Sequence, residues 1–111
     1  MGEEIYQLVY YEDPGGKKPY REWFEALRDV KAQAVIDARL GRLRLGNFGK
    51  CEPVGHGVYE LKIYYGPGYR VYFSRAGNQI LLLLCGGDKS RQSEDIHKAQ
   101  THWLQYKGPR S

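Results

Sequence analysis

The sequence predicts an α+β fold, and three observations carry that reading. Apolar residues recur every three or four positions in two stretches of the first half, the helical spacing. Between residues 58 and 85 the pattern changes to strand-length runs divided by glycine turns. Helical spacing then returns near the end. A chain of 111 residues fits one domain spanning 1–111. The expected order is β-α-α-β-β-β-α: a mainly antiparallel twisted sheet, two N-terminal helices on one face, and a separate C-terminal helix.

Ile5 to Tyr11 is a short apolar and aromatic run stopped by Asp13-Pro14-Gly15-Gly16, a strand and turn. Pro19 suits a first helical position, and Tyr20, Trp23, Phe24 and Leu27 follow on one helical face. Asp29 can cap a second helix with Ala32, Ile36, Leu40 and Leu43 inward, ending near Gly46-Asn47. Val58–Tyr65 and Tyr69–Arg75 alternate around Gly66-Pro67-Gly68 and read as a hairpin. Gln79 to Cys85 is apolar on both faces, the mark of an interior strand covered on both sides. Asp88 or Ser90 caps the last helix, with Ile96, Ala99, Trp103 and Tyr106 inward and Glu94 and Asp95 suited to the macrodipole. Residues 107–111 read as a frayed tail.

Composition removes several functional classes. The chain is 41% hydrophobic, 27% charged and 14% aromatic, unlike a disordered chain. Its longest apolar run, Ile80 to Cys85, is far too short for a membrane span, and the acidic opening Met1-Gly2-Glu3-Glu4 is unlike a secretory signal. Cys51 and Cys85 lie in no pairing motif and read as reduced thiols of a cytoplasmic protein. Net charge is +4, but residues 1–30 hold seven acids against four bases, and residues 31–111 hold thirteen bases against six acids. The basic majority, with ten tyrosines in the chain, suggests a polyanionic partner, nucleic acid before membrane.

A three-residue hairpin loop pairs residues whose numbers sum to 134, so Tyr64 faces Arg70 and Lys62 faces Tyr72. Leu61, Ile63, Val71 and Phe73 then share a core face. Glu60, Lys62, Tyr64, Arg70, Tyr72 and Ser74 share the other, either an ordinary solvated face or a platform of cations and stacking rings for RNA. The loop Gly86-Gly87-Asp88-Lys89-Ser90-Arg91 adds glycines through which backbone amides reach a phosphate, beside Lys89 and Arg91. Metal chemistry is not indicated: His97 and His102 stand about 140° apart around a helix, and His56 is isolated. No nucleophile motif surrounds Ser74, Ser90 or Ser93.

Gly57-Val58-Tyr59-Glu60-Leu61-Lys62-Ile63, Gly66-Pro67-Gly68-Tyr69-Arg70-Val71-Tyr72-Phe73 and Leu82-Leu83-Leu84-Cys85-Gly86-Gly87-Asp88-Lys89-Ser90 together resemble the RelE/ParE toxin superfamily. The nearest branch is that of the HigB-like, phage-derived addiction-module killer proteins, and the resemblance covers nearly the whole chain. It implies a cytoplasmic toxin of a type II toxin–antitoxin pair, without cofactor or metal. The implied partners are a small cognate antitoxin, often of helix-turn-helix type, and mRNA, also on the ribosome. RelE and HigB branches cut mRNA, whereas the ParE branch poisons DNA gyrase; a non-cleaving RNA-binding module is a third reading. The family's basic positions match Lys62, Arg70 and Lys89. A further family base falls on Glu60, and a tyrosine near the last helix falls on Ile96 or His97.

Metal-free cleavage requires a base for the 2′-hydroxyl, cations for the phosphorane and an acid for the leaving oxygen. The resemblance assigns Arg70 and Lys89 as phosphate clamps and Lys62 as base, its pKa lowered by neighbouring cations. Tyr64 and Tyr72 are the stacking residues, and Arg91 is a further RNA contact, with Arg75 the next candidate. Arg70 and Lys89 are both expected to be solvent-accessible.

Overall fold

The computed structural model describes residues 5–108. Strand β1 (Gln7–Tyr10) leads to helices α1 (Pro19–Ala26) and α2 (Val30–Arg44). Strands β2 (Cys51–Pro53), β3 (Tyr59–Ile63), β4 (Tyr69–Arg75) and β5 (Ile80–Asp88) follow. A 3₁₀ turn (Lys89–Arg91) then enters helix α3 (Gln92–Lys107). The five strands form one mixed sheet in the order β1-β5-β4-β3-β2, with β1 parallel to β5 and the other pairs antiparallel.

The two N-terminal helices form as their residues dictate. Pro19 opens α1, and the Asp29 carboxylate accepts from the Ala32 amide at 3.1 Å to cap α2. Tyr20, Ala32, Ile36, Leu40 and Leu43 are buried against Leu61, Val71, Phe73, Leu81 and Leu83 on one sheet face. The opposite face carries a second core, in which Ala99, Ile96 and Trp103 of α3 cover Tyr72, Leu82 and Leu84. β5 therefore lies between two helical layers, which accounts for a strand that is apolar on both sides. A bulge in the β4–β5 ladder beside Tyr72 and Phe73 lets Leu84 and Cys85 both join the second core.

Several expectations require correction. The hairpin pairs residues summing to 132, with Lys62 opposite Arg70, Glu60 opposite Tyr72 and Leu61 opposite Val71. The turn is longer than expected: the Tyr65 amide donates to the Ile63 carbonyl, the Gly68 amide donates to the Tyr65 carbonyl, and Gly66 and Gly68 take positive φ. A slip of two residues exchanges partners but preserves faces, so the separation of apolar and polar sets holds. The polar face is only partly solvated: Glu60, Arg70, Tyr72 and Ser74 are buried, with α3 over Tyr72, whereas Tyr64 is exposed. β2 was not foreseen. Gly86, Gly87 and Asp88 belong to β5 rather than to a loop. Tyr106 is exposed rather than inward. Lys107 closes α3 instead of starting a frayed tail, and the remainder of that tail, 109–111, lies outside the described residues, as does the acidic opening.

Candidate functional site

The register places two cations, Lys62 and Arg70, side by side on adjacent strands, a repulsive arrangement when unrelieved. Glu60 relieves it. Its side chain is 1% exposed, with Oε2 3.4 Å from Arg70 Nε and Oε1 4.0 Å from Lys62 Nζ. Tyr72 donates its hydroxyl proton to Glu60 at 3.0 Å, and Gln92 of α3 donates its amide to the same oxygen at 2.8 Å. Burial, and then the adjacent carboxylate, push the Tyr72 hydroxyl well above its ordinary range, so it remains a donor. Glu52 completes the set from β2, 3.3 Å from Lys62 Nζ. A buried carboxylate thus anchors both cations from beneath.

Above this network lies an open cleft of about 440 Å³, lined by Lys62, Tyr64, Tyr65, Arg70 and Lys89 together with the Gly66-Pro67-Gly68 turn. Arg70 is 9% exposed and fixed from both ends, its Nη1 donating to the Gly68 carbonyl at 2.8 Å. Gly68 suits the turn by its positive φ and lies against both cations, where a Cβ would make ordinary contacts, 3.4 Å from Arg70 Nη1 and 3.8 Å from Lys89 Cβ. Lys89 is exposed and makes no ion pair among the described residues. Asp88 positions it by capping the turn, accepting from the Ser90 amide at 2.9 Å and the Ser90 hydroxyl at 2.5 Å. Those hydrogen bonds hold the Asp88 carboxyl below the usual range.

The structure therefore gathers four of the sequence candidates, Lys62, Tyr64, Arg70 and Lys89, in one cleft. Tyr64 stands in the turn rather than on the strand and is 75% exposed. Tyr72 is fully buried beneath the network and cannot stack on a base. Arg91 lies outside this cleft and pairs with Glu94 at 2.9 Å. Arg75 is engaged elsewhere, over the Tyr6 and Phe48 rings. The expected accessibility of Arg70 is overturned: it is held down by Glu60 and the Gly68 carbonyl. Lys62 stands beside Arg70 but also within 4.0 Å of two carboxylates, which offset the neighbouring cations that made it a base candidate. The Gly86-Gly87 pair lies in a strand and permits close packing. A Cβ at Gly86 would strike the Trp23 ring, and one at Gly87 would strike the Asp95 carboxylate. Sequence reasoning missed Gln92 and the anchoring role of Glu60, because both depend on where α3 lies.

The chain matches no protein-family model. It is 44% identical over 81 residues to an "uncharacterized protein" of Haemophilus influenzae, covering 73% of this chain and 82% of the relative. The chain belongs to that protein's family. The family is thus shared with a chain of comparable extent. Among the described residues, no helix is long and apolar enough to cross a membrane, and no three His, Cys, Asp or Glu side chains are grouped to hold a metal ion.

Proposed function

We propose that this protein is a cytoplasmic toxin of the RelE/ParE type, of the HigB-like branch, that cuts mRNA in the Lys62–Arg70–Lys89 cleft. The observation carrying the reading is the convergence of three cations from β3, β4 and the turn after β5, beside exposed Tyr64. The cleft is open, as a polymer substrate requires. In the reaction the O2′–P bond forms while P–O5′ breaks; the 2′-hydroxyl passes its proton to water and the leaving oxygen takes one from water. Arg70 and Lys89 hold the phosphorane charge between those events. Lys62 enters as a phosphate ligand, and Tyr64 as the ring on which an unpaired base stacks. Burial, and then Asp29, push the Tyr65 hydroxyl up, so it stays protonated and is engaged by Asp29.

Mapping mRNA 5′ ends after induction tests this reading. New ends should appear with the natural chain, and Lys89→Ala should reduce cleavage about 10²–10³-fold, the usual loss on removing one transition-state donor. Growth arrest with unchanged RNA ends would overturn it. A protein-directed toxin of the ParE kind would then take its place, a reading favoured by one observation: carboxylates already pair with Lys62 and Arg70.

A further inference from the structure

Arg91 and the Gly86-Gly87 pair, left over from the first cleft, belong to a second one. β1 pairs with β5 only as far as Leu83, so the edge of β5 beyond it has no strand neighbour among the described residues. There a cleft of about 520 Å³ opens, within the usual range for ligand sites. Its floor is Gly86 and Gly87, one wall is Trp23 of α1, and the other is formed by Arg91, Asp95 and Lys98. The Lys89–Arg91 turn stands between the two openings: Lys89 lines the first and Arg91 the second.

Asp95 sets this cleft apart. It is 7% exposed, yet its carboxylate receives no hydrogen bond and makes no ion pair among the described residues. Burial pushes its carboxyl above the usual range, against the pull of Lys98 and then Arg91. An acid that merely complements the helix dipole does not require burial; Glu94 beside it is exposed. Its oxygens are not sealed from solvent but open onto the cleft, where a ligand's donors can take the place of water. Two carboxylate oxygens accept side by side, so the fitting ligand presents two adjacent N–H donors. Guanine does so on its Watson–Crick edge, whereas adenine sets an acceptor beside its amino group. A guanidinium has the same donor pair; Lys98, which makes no ion pair among the described residues, disfavours it and attracts a phosphate, whereas Arg91 is shared with Glu94. Trp23 offers a ring for stacking.

We infer that this second cleft binds a guanine nucleotide, with Asp95 accepting from N1–H and N2–H, Trp23 against the base, and Arg91 and Lys98 toward its phosphate. For an RNA strand as the source of that guanine, the inference rests on the cleavage reading above; a free guanine nucleotide is the other source of the same chemistry.

Calorimetric titration of the full chain with 5′-GMP, 5′-AMP and argininamide tests it, with amide shifts of Gly86 and Gly87 locating the site. GMP should bind about tenfold more tightly than AMP, the worth of one bidentate pair, and Asp95→Asn should abolish the preference. Equal binding of GMP and AMP, tighter binding of argininamide, or an unchanged preference in Asp95→Asn would overturn the inference. If Asp95→Asn fails to fold, the GMP-to-AMP ratio and the two glycine shifts of the natural chain still decide. Cut-site mapping separates the sources: guanosine enriched beside the cuts supports the RNA strand, and GMP preference without enrichment supports the free nucleotide. RNA cleavage with equal GMP and AMP binding sinks the guanine site alone. GMP preference without RNA cleavage sinks the cleavage reading and upholds the site.

Discussion

Glu60 changes what an alanine substitution at Arg70 measures. Removing the guanidinium leaves a buried carboxylate with one fewer partner, and breaking a buried pair costs about 3–5 kcal/mol. Arg70→Ala should therefore lower stability by about 3 kcal/mol in urea unfolding, and the double variant with Glu60→Gln should recover part of it. Lys89 is the cleaner probe. It is exposed and unpaired, so Lys89→Ala should stay within about 0.5 kcal/mol in the same assay. Asp95 provides a pH-dependent case. Its folded pKa is raised above the ordinary 3.8, so its charge costs stability above the folded pKa. That cost is relieved as pH falls through the folded value toward 3.8. Asp95→Asn should accordingly raise the melting temperature at pH about 7, with the advantage shrinking toward pH about 4. Equal melting curves at neutral pH would refute this. The residue types of the site were legible in the sequence, but the burial of Tyr72 under α3 and of Arg70 against Glu60 and Gly68 was not, since neither is a local feature.

At the scale of elements, period and punctuation carried most of the information. Pro19, Asp29 and the stripe from Ala32 to Leu43 sufficed for α1 and α2, because caps and apolar spacing are local. The hairpin shows the limit: alternation fixed which side chains share a face, whereas partners depended on how many residues the turn consumed. β2 left no local signal, being three residues ending in proline at a sheet edge. The parallel partnership of β1 with β5 also lies beyond pattern reading, since nothing near either strand names the other. The two glycines were recognised but misassigned: they admit an aromatic ring on one face and a carboxylate on the other. Gly86→Ala should thus displace Trp23 and destabilise by about 1–3 kcal/mol, a typical overpacking cost, read by urea unfolding. An unchanged midpoint would show that the ring yields freely.

For the whole molecule, the charge division bears on the proposed antitoxin. Residues 31–111 carry thirteen bases against six acids, so an acidic antitoxin segment should be steered toward the cleft-bearing part of the chain. Its association rate should fall as salt rises through about 50–500 mM, and a rate indifferent to salt would argue against electrostatic capture. The β1–β5 pairing adds a matter of timing. Gln7 finds Ile80 across 73 intervening steps of chain. At synthesis rates of about 5–20 residues per second, the first strand waits roughly 4–15 s for its neighbour to be made. The β3–β4 hairpin can bring Lys62 opposite Arg70 before Lys89 and Gln92, 14 and 17 residues beyond the end of β4, emerge from the ribosome to join it. A nascent chain therefore carries the cleft without its unpaired cation and without the helix that closes over Glu60. Nothing translated only as far as the hairpin can hold the full set of charges, because the third cation lies 14 residues beyond the end of β4.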